Sequence, residues 1–203
     1  MPEENPFSIF YQKKRILASR SPRRKALLEE IGWEFEVFPA PDSVEEGLDV
    51  AGKSPSELVQ ALARAKAEYV AARFSQQDVV IIGCDTVAVC RGEILGKPHD
   101  REDACRMLLR LSGTRHNVLT GLVLWNPRYP QNIHEETVTT VLEMEFLSEK
   151  RLENYLDSGR WQGKAGAFGY QDGNDWLKIV SGTASNVVGL PVERLVELTG
   201  GMS

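Results

Sequence analysis

The chain has 203 residues, of which 42% are hydrophobic and 26% charged, with a formal net charge of -5. That composition fits a soluble globular protein with one sizeable core or two small lobes. The acidic balance argues against broad nucleic-acid binding, which needs a basic face, but it leaves room for a small anion held by a few local cations.

The opening stretch MPEENPFSIFYQKKR puts acids first and carries only a short apolar cluster. It reads as neither a leader peptide nor a membrane span. RILAS then predicts a strand, and SPRRKALLEEIG a helix with Ser21 as N-cap, Pro22 at the first position and Gly32 as the stop. This helix is charged the wrong way round. Arg23 and Arg24 occupy its first turn and Glu29 and Glu30 its last, although a helix start carries partial positive charge and prefers acids.

EFEVF predicts a short strand, followed by a loop rich in Pro, Asp and Gly as far as Ser54. SPSELVQALARAKAEYVAARF predicts a helix capped by Ser54, with Pro55 at its first position and Glu57 in its first turn. VVIIG is a continuous β-branched run, hence a buried strand, and DTVAVCRGEILGKP predicts a hairpin turning at Arg91-Gly92. DREDACRMLLRLSG predicts a helix ending at Gly113, and HNVLTGLVLW a strand. In VTTVLEMEF the residues Val138, Thr140, Leu142, Met144 and Phe146 alternate, which predicts a strand with one buried face. SEKRLENYLDSG predicts a helix capped by Ser148, GKAGAFGYQDGNDW a loop, and NVVGLPVERLVELTGG a strand followed by a helix from Pro191. Hairpins and strand-helix-strand units occur together, so the expected fold class is α/β, a mixed twisted sheet with flanking helices.

Several residues are out of place in such a scaffold. A helix N-terminus is a ready anion site, Ser19 and Ser21 add hydroxyls, and guanidinium forks match phosphate oxygens. The competing reading is a capped helix with solvated arginines. Lys66 sits at the centre of an apolar helix face with Val59, Leu62, Ala63 and Val70. It either extends its ammonium to water at an edge or aims it into a cleft. Asp85 follows a buried run, so it caps a turn, is paired, or serves a cleft as base or metal ligand. Lys97 closes the same hairpin, near Asp85 or simply exposed. Glu45 and Glu46 lie in an acidic loop that is either solvated or used, and Gln171 is the polar group of a Gly-aromatic loop that forms a flat pocket or a packing corner. Together these supply four phosphate cations and the carboxylates that nucleotide phosphate chemistry requires. No Walker loop, dinucleotide-binding glycine motif, zinc-helix motif or nucleophile elbow is present, and His99, His116 and His134 have no ligand spacing. Cys84, Cys90 and Cys105 lack metal spacing and read as free thiols of a reducing cytoplasm.

In order along the chain, LASRSPRRKALLEEIG, GCDTVAV, GEILGKP, LSGTRHNVLTG, KAGAFGYQ and VVGLP resemble the Maf family of nucleoside triphosphate pyrophosphatases, from about residue 16 to about residue 198. The resemblance implies a fold shared with inosine triphosphate pyrophosphatases, two lobes around a cleft, in a single domain over 15–203 behind an N-terminal extension at 1–14. It implies hydrolysis of a nucleoside triphosphate to the monophosphate and pyrophosphate with a divalent metal, Mg²⁺ or Mn²⁺. Asp85 matches the family's proton acceptor, and Ser19, Arg24, Glu46, Lys66 and Lys97 match its other active-site positions, with Glu46 and Asp85 at the metal. Arg23, Thr86 and Gln171 resemble the subtype acting on dTTP and UTP; a subtype acting on 7-methyl-GTP has Trp, Gln and Glu there. Two features depart from the family pattern: Cys84 stands where a smaller residue is usual, and the loop QDGNDW has an unfamiliar form. The alternatives are a non-catalytic nucleotide-binding regulator of septum formation and a pyrophosphatase for a purine or modified nucleotide. No nucleic-acid or membrane partner is expected, and a homodimer is left open.

Overall fold

The computed structural model describes residues 7–11 and 13–200. Residues 1–6 and 12 of the expected N-terminal extension, and 201–203 at the far end, lie outside the described residues. Seven strands form one sheet: β1 Lys14–Leu17, β2 Phe35–Val37, β3 Val79–Cys90, β4 Glu93–Leu95, β5 Arg115–Trp125, β6 Ile133–Met144 and β7 Leu177–Ser181. Their order is β2-β1-β3-β5-β6-β7, with β4 paired to β3. β1 is parallel to β2 and β3, and the remaining pairs are antiparallel. The expected mixed sheet with flanking helices is therefore the fold.

The helices are α1 Pro22–Glu30, α2 Ser43–Glu46, α3 Pro55–Ala71, α4 Arg101–Leu111, α5 Glu149–Asp157, α6 Ala184–Val188 and α7 Val192–Leu198. α3 begins with a reciprocal capping box between Ser54 and Glu57. The β3–β4 hairpin turns on Arg91 and Gly92, both at positive φ, the geometry that matches the twist of the flanking strands.

β3 runs through two cores, and this places the site. On one face of its first half, Val80, Ile82 and Cys84 pack with Leu27 and Leu28 of α1 and Leu195 of α7. On the other face, Val79 and Ile81 pack with Ala63, Ala67 and Val70 of α3. A strand covered on both sides must be apolar at every position, which is why VVIIG shows no alternation. Beyond the strand's midpoint, Ala88 and Cys90 join a separate core built with α4, α5 and the segment around Phe168. Asp85 and Thr86 fall between these cores.

α3 lies against the sheet on two glycines. A Cβ at Gly83 would fall 2.5 Å from the Ala63 carbonyl oxygen, and one at Gly121 would fall 2.3 Å from that of Val59. Gly121 pairs directly with Asp85 across β3 and β5. Backbone-close packing at these two points brings the Lys66 side of α3 over Asp85.

Three elements differ from expectation. The NVVGL segment is a helix, α6, because Thr183 accepts from the Asn186 N–H at its start and Gly189, at φ 118°, closes its end. Caps at both ends outweigh the β-branched valines. The strand of this region is instead LKIVS, β7, which the sequence reading passed over. The loop before Ser54 contains the one-turn α2. Phe146 is 79% exposed because β6 ends at Met144, so the alternation stops short of it.

Candidate active site

A cavity of about 370 Å³ opens where the two cores meet. Ser19, Arg23, Arg24, Lys66, Asp85, Thr86, Lys97 and Gln171 all line it. Residues separated by up to 152 positions in sequence are thus gathered by three local structures: the turn from β1 into α1, the middle of β3 beneath α3 with the end of β4 beside it, and the Gly-rich loop before β7.

At the first of these, Ser21 caps α1 and Pro22 takes its first position. No acid stands in the first turn. Arg24 is buried, 8% exposed, and folds back across the turn. Its Nε donates to the Gly189 carbonyl at 2.6 Å, Nη1 to Ser19 Oγ at 3.0 Å and Nη2 to Thr86 Oγ1 at 3.0 Å. All three acceptors are neutral, and Arg24 has no carboxylate partner among the described residues. A guanidinium has five N–H groups, so two remain for an incoming anion. Thr86 is held in turn by Thr120 Oγ1 at 2.9 Å. Arg23 donates to the Gly163 carbonyl at 2.8 Å, reaching across to the Gly-rich loop. Burial, and then repulsion from Arg24, lower its pKa, with Asp172 opposing both. Burial and the neighbouring Arg24 favour a site that gains an anion, and Asp172 works against it.

At the second, Lys66 is 8% exposed and does not extend to water. Its ammonium lies 2.5 Å from Asp85 Oδ1 and 2.9 Å from Glu45 Oε1. Lys97, two residues beyond the β4 residue that pairs with Ala88, is exposed and has no partner among the described residues. Beside Asp85, burial pushes the Cys84 thiol up to about 11, so it stays protonated and is not a nucleophile at neutral pH.

Glu46, the acid that the family resemblance put at the metal, is not the one that meets Lys66. Glu46 is exposed and does not line the cavity; Glu45 does. The segment is a helical turn, so consecutive side chains diverge by about 100° and only one of the two acids faces Lys66. Asp42 shares that face three residues earlier and holds Arg20 Nη1 at 2.9 Å. Sequence reading missed this pair because it treated the segment as irregular; a helical reading of SVEE would have put residues 42 and 45 together.

At the third, Gln171 lies in a short turn, Tyr170–Asp172, exposed to the cavity and without a side-chain partner among the described residues. Lys164 and Asp172 line the same wall and were not anticipated. Neither lies in a periodic segment, so nothing in the pattern linked them. Phe168 also lines the wall and carries His116 edge-on behind it, ring centres 5.3 Å apart. Burial lowers the His116 pKa to about 4, so the imidazole is neutral.

Among the described residues no group of three or more His, Cys, Asp or Glu side chains could hold a metal ion by itself. Asp85 and Glu45 nevertheless bracket one cation, the Lys66 ammonium, from two sides. Two carboxylates whose remaining partners come from phosphate oxygens and water suit a small hard dication. No helix among the described residues is long and apolar enough to cross a membrane.

Comparison with known proteins places this cavity in context. A family model described as Maf-like protein matches residues 14–202. A protein of Rhodopirellula baltica named dTTP/UTP pyrophosphatase is 52% identical over 184 residues, spanning 90% of this chain and 79% of that one. A protein of the same name from Geotalea uraniireducens is 42% identical over 183 residues, spanning 90% and 91%. Among solved structures, a HAM1 protein from Coxiella burnetii superposes with a TM-score of 0.49 at 13% identity, over 91% of this chain and 96% of that one.

Proposed function

The chain belongs to the Maf family, and from that premise we propose that it is a nucleoside triphosphate pyrophosphatase acting on dTTP and UTP. Two relatives carry that name across most of this chain. The observation that carries the reading is that four of the cavity's cations, a partly buried carboxylate and an amide without a partner among the described residues line one space: Arg23, Arg24, Lys66 and Lys97, with Asp85 and Gln171.

In this reading the triphosphate lies against the start of α1. The reversed charges of that helix then have a reason, since acids there would repel the substrate. The two unused N–H groups of Arg24, the helix N–H groups and Lys97 neutralise charge that grows as pyrophosphate departs. Ser19 and Thr86 keep the Arg24 fork in one orientation, and Gly189 holds its Nε.

Water attacks the α-phosphorus. A proton passes from that water to Asp85 as the new P–O bond forms, and the bond from the α-phosphorus to the bridging oxygen breaks. The products are the monophosphate and pyrophosphate. Lys66 holds the Asp85 carboxylate in one orientation through the contact at 2.5 Å. A divalent cation, Mg²⁺ or Mn²⁺, would be held by Asp85 and Glu45 and would supply charge neutralisation at the phosphate oxygens. Base choice belongs to Gln171, whose amide accepts from the N3–H of uracil or thymine and donates to a neighbouring carbonyl. The three unpaired thiols agree with a cytoplasmic setting.

The test is pyrophosphate release across dTTP, UTP, CTP, ATP, GTP and 7-methyl-GTP, with Mg²⁺ or Mn²⁺. Fastest turnover is expected for dTTP and UTP. Release from 7-methyl-GTP or a purine nucleotide at a higher rate reassigns the substrate, and binding without release from any of them removes the enzymatic reading.

A further inference from the structure

The wall that carries Gln171 is built around an ion pair that the reaction above does not use. Lys164 Nζ lies 2.6 Å from both carboxylate oxygens of Asp172. Tyr155, on α5 in the second core, donates its hydroxyl to Asp172 Oδ2 at 2.8 Å. The Gly169 N–H donates to the Tyr155 hydroxyl at 3.1 Å, and Asn174 donates to the Gly169 carbonyl at 3.1 Å. Arg160 donates to the Asp172 carbonyl at 2.9 Å. The Lys164 and Asp172 side chains are only 13% and 12% exposed.

We propose that Lys164, Asp172 and Tyr155 form a clasp of positioning residues that fixes Gln171 and thereby sets the preference for bases with a protonated N3 flanked by carbonyls. The proposal rests on the reading that Gln171 meets the base. Gln171 immediately precedes Asp172, and its own amide has no partner among the described residues. What limits where the amide can reach is therefore the backbone beside it. That backbone is tied down twice at Asp172, through its side chain to Lys164 and Tyr155 and through its carbonyl to Arg160. Lys164 is closed onto Asp172 and is not a free cation for phosphate. A largely buried ion pair of this kind adds little net stability, since desolvation offsets attraction, but it admits one arrangement of the loop. A loop ordered before binding discriminates better than one ordered by the ligand, because no ordering cost dilutes the difference between bases. Gly169 belongs to the device. Its backbone is extended, at φ -123°, so alanine is allowed there conformationally. Yet a Cβ would stand 2.4 Å from Lys164 Nζ and 2.5 Å from Asp172 Oδ2. The ion pair occupies the space of the missing side chain.

The experiment compares kcat/KM for UTP and CTP, which exchange donor and acceptor at the edge Gln171 reads. It uses the wild type, Asp172→Asn, Gly169→Ala, Gln171→Ala and the Asp172→Asn/Gln171→Ala double variant, each checked for cooperative melting. Asp172→Asn removes the charge; Gly169→Ala keeps every charge and displaces the pair, so the test survives if one variant fails to fold. Each is expected to lower the UTP/CTP ratio about tenfold, mainly by raising KM for UTP, as loss of a matched hydrogen-bonding site does. The double variant is expected to discriminate no worse than Gln171→Ala alone. Equal slowing of UTP and CTP, or an effect fully additive with Gln171→Ala, overturns the clasp's role in specificity. A wild type that does not prefer UTP overturns the base-reading role of Gln171 itself, an outcome visible before any variant is made.

Discussion

The Lys66 ammonium lies 2.5 Å from Asp85 Oδ1 and 2.9 Å from Glu45 Oε1, bridging a strand residue and a helix residue across the cavity. The apolar surroundings of Lys66 on α3 left two readings open, and the bridge selects the cleft-facing one. Lys66→Met keeps the stem and removes the charge. Turnover is expected to fall roughly ten- to a hundred-and-fifty-fold, the size of a lost charge-assisted contact. Stability is expected to fall too, by about 1–3 kcal/mol, because Asp85 loses its partner in a partly buried setting. Kinetics with denaturant unfolding check both, and adding Asp85→Asn to the Lys66→Met variant is expected to restore much of the stability. Unchanged kinetics in a folded Lys66→Met protein would count against a role in orienting Asp85.

Glu45 and Glu46 are adjacent but face different surroundings. Glu45→Gln is expected to raise the Mg²⁺ concentration for half-maximal activity about tenfold or more, and to weaken Mn²⁺ binding measured directly, as loss of a ligand or its support does. Glu46→Gln is expected to stay near wild type in both. The opposite ranking returns the metal role to Glu46.

Arg24→Ala and Arg24→Lys separate charge from geometry. The guanidinium makes three hydrogen bonds to different elements, which a lysine cannot reproduce. Both variants are expected to raise KM and lower kcat, with lysine recovering only part of the loss. Full activity in Arg24→Lys would reduce Arg24 to a point charge.

His116 gives a pH signature in the second core. Its folded pKa is about 4 against an ordinary 6.5, because burial disfavours the imidazolium. The folded state therefore binds fewer protons than the unfolded state between these values. The stability this contributes is complete above pH 6.5 and is lost as pH falls toward 4, on the order of 3 kcal/mol. Unfolding free energies measured from pH 7 to 4 are expected to fall more steeply in the wild type than in His116→Gln. Parallel curves would mean that the imidazole is solvated.

Much of this was legible in the sequence, and the failures have physical causes. The caps at Ser21, Ser54 and Ser148, the buried run of β3 and the turn at Arg91-Gly92 are local signals, and each formed as read. The charge reversal of α1 pointed to the cavity before any long-range contact was known. α6 was misread because two valines outweighed the flanking Thr183 and Gly189, although those caps decide a five-residue helix. Glu45 and Glu46 could not be told apart by periodicity, because a one-turn helix leaves no periodic trace, and only the family resemblance singled out Glu46. The Lys164–Asp172 pair arises from the folding of a glycine-rich loop onto Tyr155, a tertiary relationship that composition cannot express.

The central claim is that water, oriented by Asp85, attacks the α-phosphorus of a pyrimidine nucleoside triphosphate. Hydrolysis of dTTP in heavy-oxygen water tests it most directly, with wild type and Asp85→Asn compared and both products analysed by mass spectrometry. The account predicts that the heavy oxygen enters dTMP alone, that pyrophosphate is unlabelled, and that Asp85→Asn still binds dTTP but forms almost no product. Heavy oxygen in pyrophosphate or free phosphate, or an active Asp85→Asn enzyme, would contradict it.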